Sequence, residues 1–84
     1  MRIIATIPQN KLREVGAAAA AIEAAGYDGI VTLENQHDPF LPLAVAATAT
    51  ERVEISTGIA IAFLRSPMSA AMIAWDLQEA SRGR

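Results

Sequence analysis

The sequence predicts an α/β fold built on a parallel sheet. Three observations predict it: three short apolar, β-branched runs, three segments with helical spacing, and their strict alternation along the chain. Alternation of this kind implies right-handed crossovers between neighbouring parallel strands.

The first strand is expected over Arg2–Ile7, where Ile3, Ile4, Ala5 and Ile7 place apolar groups on both faces before Pro8 stops the run. Asn10 is positioned to cap the helix that follows. In that helix Leu12, Val15, Ala19 and Ile22 form one stripe at helical period. Gly26 suits the left-handed residue after a helix end, and Tyr27-Asp28-Gly29 makes the turn. Ile30–Leu33 is the second strand. A polar, proline-bearing loop spans Glu34–Pro42, and a short helix over Leu43–Thr50 starts from Pro42. Val53–Thr57 is the third strand, interrupted by Gly58, and Ile59–Leu64 continues it as an apolar segment. Ser66-Pro67 is a capping hydroxyl followed by proline at the first helical position; the third helix runs to Ala80 and stops at Gly83. Met68, Met72 and Trp75 fall at helical spacing and are expected in the core.

Successive crossovers of one hand put all three helices on one face of the sheet. The strands nevertheless read as apolar on both sides, and parallel sheets are normally covered on both faces. Two solutions exist. The chain can self-associate through the bare face, as a non-enzymatic α/β module would. Alternatively it is the first three β/α units of a (β/α)₈ barrel, truncated before strand four, since a barrel needs roughly 250 residues and this chain has 84. The barrel is the favoured expectation, with residues 1–84 as one incomplete domain.

Composition narrows the function classes. A hydrophobic share of 52% against 19% charged excludes intrinsic disorder. With a net charge of −2 and scattered basic residues, no nucleic-acid stripe forms. The absence of cysteine removes both disulfide staples and a thiolate zinc site. The apolar start is too short for a signal-peptide core and the Ala17–Ala21 run too short for a membrane span, so a cytoplasmic setting without membrane partners is expected. Eighteen alanines suit helices that pack closely.

Ligands of parallel α/β folds gather at the C-terminal ends of the strands. Those ends are Thr6–Gln9, Thr32–Asp38 and Thr57–Arg65. Thr32, Glu34, Asn35, Gln36, His37 and Asp38 can line a pocket or form a solvated loop. Glu34, His37 and Asp38 share no helix face, so no metal site is expected. Gly58 allows close backbone approach or an ordinary bulge, and Arg65 can meet an anion at a helix start or sit as a surface charge. The glycine-rich dinucleotide, P-loop and nucleophile-elbow motifs are absent.

At these positions the sequence resembles the luciferase-like monooxygenase family of flavin- and coenzyme F-420-dependent oxidoreductases. The matching stretches are Ala24-Ala25-Gly26-Tyr27-Asp28-Gly29, Thr32-Leu33-Glu34, Asp38-Pro39-Phe40, Glu54-Ile55-Ser56-Thr57-Gly58-Ile59, Arg65-Ser66-Pro67 and Ser81-Arg82-Gly83-Arg84. The resemblance implies a TIM barrel, hydride transfer on a small-molecule substrate, and a deazaflavin (coenzyme F-420) cofactor, with FMN as the alternative. It implies catalytic roles for Glu34 and Asn35, where many members carry an acid and then a histidine. Asparagine cannot shuttle a proton near neutral pH. Gly58, Ile59 and Ala60 would bind the cofactor ring, the Gly58–Ile59 bond matching a non-prolyl cis peptide of the family. Ile7 would wall the substrate. The fragment alone is expected to be inactive, lacking the rest of the barrel or a homo-oligomeric partner. A substrate-binding domain of another barrel enzyme is a third reading.

Overall fold

Where β-branched runs meet turn residues, the chain forms the expected alternation. The computed structural model describes residues 1–84. Strands β1 (Ile4–Thr6), β2 (Gly29–Leu33) and β3 (Glu54–Ile59) alternate with helices α1 (Leu12–Ala24), α2 (Phe40–Ala49) and α3 (Pro67–Ser81), with a 3₁₀ turn at Ala62–Leu64. The strands form one parallel sheet in the order β1-β2-β3. This is the arrangement expected of an opening (β/α)₈ segment.

Register separates the two faces. Ala5, Ile30 and Ile55 are cross-strand partners on the helix-covered side, while Thr6, Val31 and Ser56 lie in one row on the open side. Ile7, Val15, Ala19, Ile30, Ala46 and Val53 form the buried core, with Ala18, Ile22 and Val45 packed against it. The α1–α2 contact is close because small residues make it: a Cβ at Gly16 would sit 3.6 Å from Val45 Cγ1 and 3.7 Å from Ala49 Cβ. Only 14 of 84 residues are buried, so the core is small and the stability margin correspondingly narrow.

Several expectations change. β1 is three residues long, and Ile4 is half exposed because no layer covers the open face; Ile3, just before the strand, is half exposed as well. That face is also less apolar than expected: Glu54, paired with Arg2, and Ser56 lie on it. Asn10 does not cap α1; Lys11 occupies the cap position and offers no side-chain acceptor, and Leu12 is exposed. α2 begins at Phe40 rather than Leu43, because the Asp38 carboxylate accepts from the Phe40 and Leu41 amides at 2.7 and 2.6 Å. Pro42 then sits within the first turn, where its missing N–H costs nothing. Gly58 belongs to β3: partners run Thr32↔Thr57 and then Leu33↔Ile59, leaving Gly58 as the extra residue of a bulge. A Cβ there would meet Leu33 Cδ2 at 2.7 Å and Val31 Cγ2 at 3.1 Å, so packing within the sheet accounts for the glycine. The Gly58–Ile59 peptide is trans, as are all others, in place of the cis bond the family resemblance implied; the bulge alone gives the backbone its irregularity. Beyond Ile59 the apolar segment turns into the 3₁₀ turn. Met68, Met72 and Trp75 face solvent rather than core, since α3 packs on α2 through its other side.

Ser66 caps α3 as expected, accepting from the Ser69 amide at 3.0 Å. Left-handed Arg82 (φ 56°) and Gly83 (φ 87°) end it. Arg84 O then accepts from Ile55 N on the outer edge of β3 at 3.0 Å, as Asp28 O accepts from Glu54 N one strand earlier. No helix is long and apolar enough to cross a membrane.

Candidate functional site

Parallel strands deliver their C-terminal ends to one edge, so the segments after Thr6, Leu33 and Ile59 converge there. Two polar devices hold them together. The first is Gln9. Its Oε1 accepts from Leu33 N at 2.8 Å, and its Nε2 donates to Leu33 O at 2.9 Å. A primary amide has the donor–acceptor pattern of a peptide unit, so Gln9 extends the β1–β2 pairing beyond the end of β1. Gln9 was missed in the sequence; its position two residues past Ile7, at strand spacing, was the available signal.

The second device centres on Glu34. Arg65 donates to it in a fork, Nη1 to Oε1 at 2.8 Å and Nη2 to Oε2 at 2.7 Å. The amide of Ile61 donates to Oε1 at 2.6 Å. Arg65 Nη2 also reaches Asp38 Oδ1 at 3.2 Å, and its guanidinium lies 4.7 Å from the centre of the Phe40 ring. Both partners are nearly buried, with 14% of the arginine and 8% of the glutamate side chain exposed. The forked hydrogen bonds from Arg65, then the Ile61 amide, hold the Glu34 carboxyl below its ordinary value. The same bonds raise the Arg65 pKa. Arg65 is therefore neither a free anion ligand nor a surface charge.

The remaining site candidates separate. Asn35 is exposed, its Oδ1 accepting only from the adjacent Gln36 amide at 2.6 Å. His37 is exposed as well, and no three His, Cys, Asp or Glu side chains converge as a metal site. Ile7 is 1% exposed and belongs to the core beneath the helices, so it cannot present a wall to a substrate; Thr6 holds the open face beside it. Ile59 and Ala60 are exposed at the end of β3. Ala60 lines a recess of about 300 Å³ with Phe40, Ile61, Arg65, Pro67 and Ala70. A larger open cleft of about 700 Å³ lies between Gln9, Lys11, Arg13, His37, Asp38 and neighbouring residues. Both volumes fall in the range of small-molecule sites. An apolar shelf at Ile59–Ala60 suits one face of a flat ring; the neighbouring cation, Arg65, is already paired and leaves no charge for a phosphate tail.

Comparison with known proteins places these features. The profile described as luciferase-like monooxygenase matches residues 3–84. Uncharacterized proteins of Mycobacterium bovis and Mycobacterium tuberculosis are 49% identical over all 84 residues, which cover 24% of each relative. A Mycobacterium tuberculosis protein named as a putative coenzyme F420-dependent oxidoreductase is 37% identical over 78 residues, 92% of this chain and 21% of that protein. The chain thus spans about a quarter of the length of the relatives it matches.

Proposed function

We propose, from the premise that this chain belongs to the luciferase-like monooxygenase family, that it is the opening part of an oxidoreductase using coenzyme F-420. FMN is the alternative cofactor. The observation that carries the reading is the family match over residues 3–84 together with the likeness to a relative named for coenzyme F-420. When bound, the ring supplies the hydride chemistry. Ile59 and Ala60 would pack against it at the end of β3, and the Gly58 bulge would set their angle. Thr6 would face the substrate in place of Ile7, and Asn35 would offer hydrogen bonds without moving a proton. Groups for the phosphate tail would come from outside these three β/α units. The isolated chain is therefore inactive in this reading.

The test grafts this chain in place of the matching segment of a 49%-identical M. tuberculosis relative. The graft, the unmodified relative and the isolated chain are each titrated with coenzyme F-420 and with FMN, following ring fluorescence. Saturable F-420 binding by graft and relative, with none by the isolated chain, is expected. A folded graft that binds neither ring, or tight binding by the chain alone, overturns the reading.

A second reading draws on the open sheet face, where Ile4 is half exposed: a self-associating module without catalysis. It requires a stable dimer in sedimentation that Ile4→Lys disperses; a monomer at micromolar concentration excludes it.

A further inference from the structure

We propose that Arg65 is a positioning residue, which acts through Glu34 to fix the Ile59–Ile61 backbone at the end of β3. Glu34 grips that segment at both ends. Its own amide donates to Ile59 O at 2.9 Å, and its Oε1 accepts from Ile61 N at 2.6 Å. The backbone half of this grip needs only the peptide. The side-chain half needs a carboxylate held at one orientation, and the Arg65 fork supplies that orientation with two parallel bonds.

Arg65 is fixed in turn from three sides. Phe40 covers one face of the guanidinium, Asp38 Oδ1 takes Nη2 at 3.2 Å, and Ile61 O takes Nη1 at 3.2 Å. The other oxygen of Asp38 caps α2. The start of α2 is thereby connected through one guanidinium to the loop after β3. The arrangement commits Glu34 to structure: its Oε1 accepts from two donors and its Oε2 from one. Its role is to hold the shelf. The inference uses the proposed function only in giving that shelf a cofactor; the latch itself requires none.

The test is carried out on the whole chain by NMR. Amide exchange of Ile61 is measured beside that of Ile7 and Glu54, whose amides bond to Val31 O and Asp28 O away from the latch. The Glu34 carboxyl is titrated by its ¹³C shift. In wild type, Ile61 should exchange on the order of tenfold slower than an unpaired amide, the effect of one charge-assisted hydrogen bond. Glu34 should titrate below 4.5, its ordinary value. Arg65→Gln should return most of the Ile61 exchange and move the Glu34 midpoint upward, leaving Ile7 and Glu54 unchanged. Arg65→Lys, which keeps the charge but loses the fork, should restore the midpoint in part and the exchange less. An Ile61 amide that exchanges freely in wild type overturns the proposal, as does one unmoved by Arg65→Gln or a Glu34 midpoint at the ordinary value. Failure of the cofactor titration leaves these readouts untouched, so the two readings fail separately.

Discussion

At the N-terminal end of the strands, Glu23 and Arg84 spend their charges on backbone groups; at the C-terminal end, Glu34 and Arg65 spend theirs largely on each other. The Glu23 carboxylate accepts from the amides of Glu51, Arg52 and Val53 as the chain enters β3. The five N–H groups of the Arg84 side chain reach Ser81 O, Thr50 Oγ1, Val53 O, Ala47 O and Thr50 O. Two of those carbonyls, from Ala47 and Thr50, lie at the end of α2, where orphan acceptors and the helix dipole favour a cation. One end is thus closed by charges that complete the fold. The other is held by a side-chain pair that joins the loop after β2 to the loop after β3. This matches the general division of parallel α/β folds, in which the N-terminal edge carries stability and the C-terminal edge carries chemistry.

Arg84→Ala should be the most damaging change. It leaves the Ala47, Thr50 and Val53 carbonyls short of donors. We expect a loss of about 3 kcal/mol, read by urea or thermal unfolding, which would unfold much of a chain with so small a core. A loss no greater than that of Arg65→Ala would break the contrast between the two ends.

Glu23→Gln should cost less, about 1 kcal/mol, because the amide oxygen still accepts but without charge, and solvent reaches the site. It should also change the pH dependence. Hydrogen bonds from the backbone amides, that of Arg52 first, hold the Glu23 carboxyl below its ordinary 4.5. A lowered folded-state pKa contributes stability that is fully present above the unfolded value and is lost as pH falls through the folded one. Wild-type stability should therefore begin to fall near pH 4.5 and continue downward, with Glu34 adding a loss of the same sign. The Gln variant should show a shallower fall. Equal acid slopes in the two proteins would mean that Glu23 is not held as described.

Gly58→Ala probes the C-terminal end. The new methyl would lie 2.7 Å from Leu33 Cδ2, the far end of a flexible side chain, so the cost should be about 1 kcal/mol. Leu33→Ala in the same chain should remove the larger part of that cost and leave the 3.1 Å contact with Val31 Cγ2, measured as a double-mutant cycle. Additive losses would place the constraint in the backbone instead.

How much of this could be read from the sequence depends on range. Order, strand positions and the Ser66-Pro67 start were legible, because β-branched runs, capping hydroxyls and proline act over a few residues. The Phe40 start of α2 was hidden: Pro42 offered a valid first-turn signal, and only the loop geometry shows that Asp38 reaches two amides. The Glu34–Arg65 pair joins residues 31 apart and the Arg84 bonds span up to 37, distances over which no periodicity speaks. The exposed Met68, Met72 and Trp75 show the complementary limit. Helical spacing identifies a stripe, while which neighbour covers it is a property of the surrounding fold.

The smallest expected effect sharpens the comparison most. Asn35 stands at the centre of the polar loop, yet its only bond is to the next amide in the chain. Asn35→Ala should therefore change stability by no more than about 0.5 kcal/mol, with amide exchange at Ile61 unaltered. A residue so cheaply replaced is not retained by folding, and the C-terminal end can then vary its exposed groups while the Glu34–Arg65 pair keeps the backbone beneath them still. A loss above about 1 kcal/mol, a size typical of a capping or buried polar contact, would instead make Asn35 a structural partner and erase the difference between the two ends.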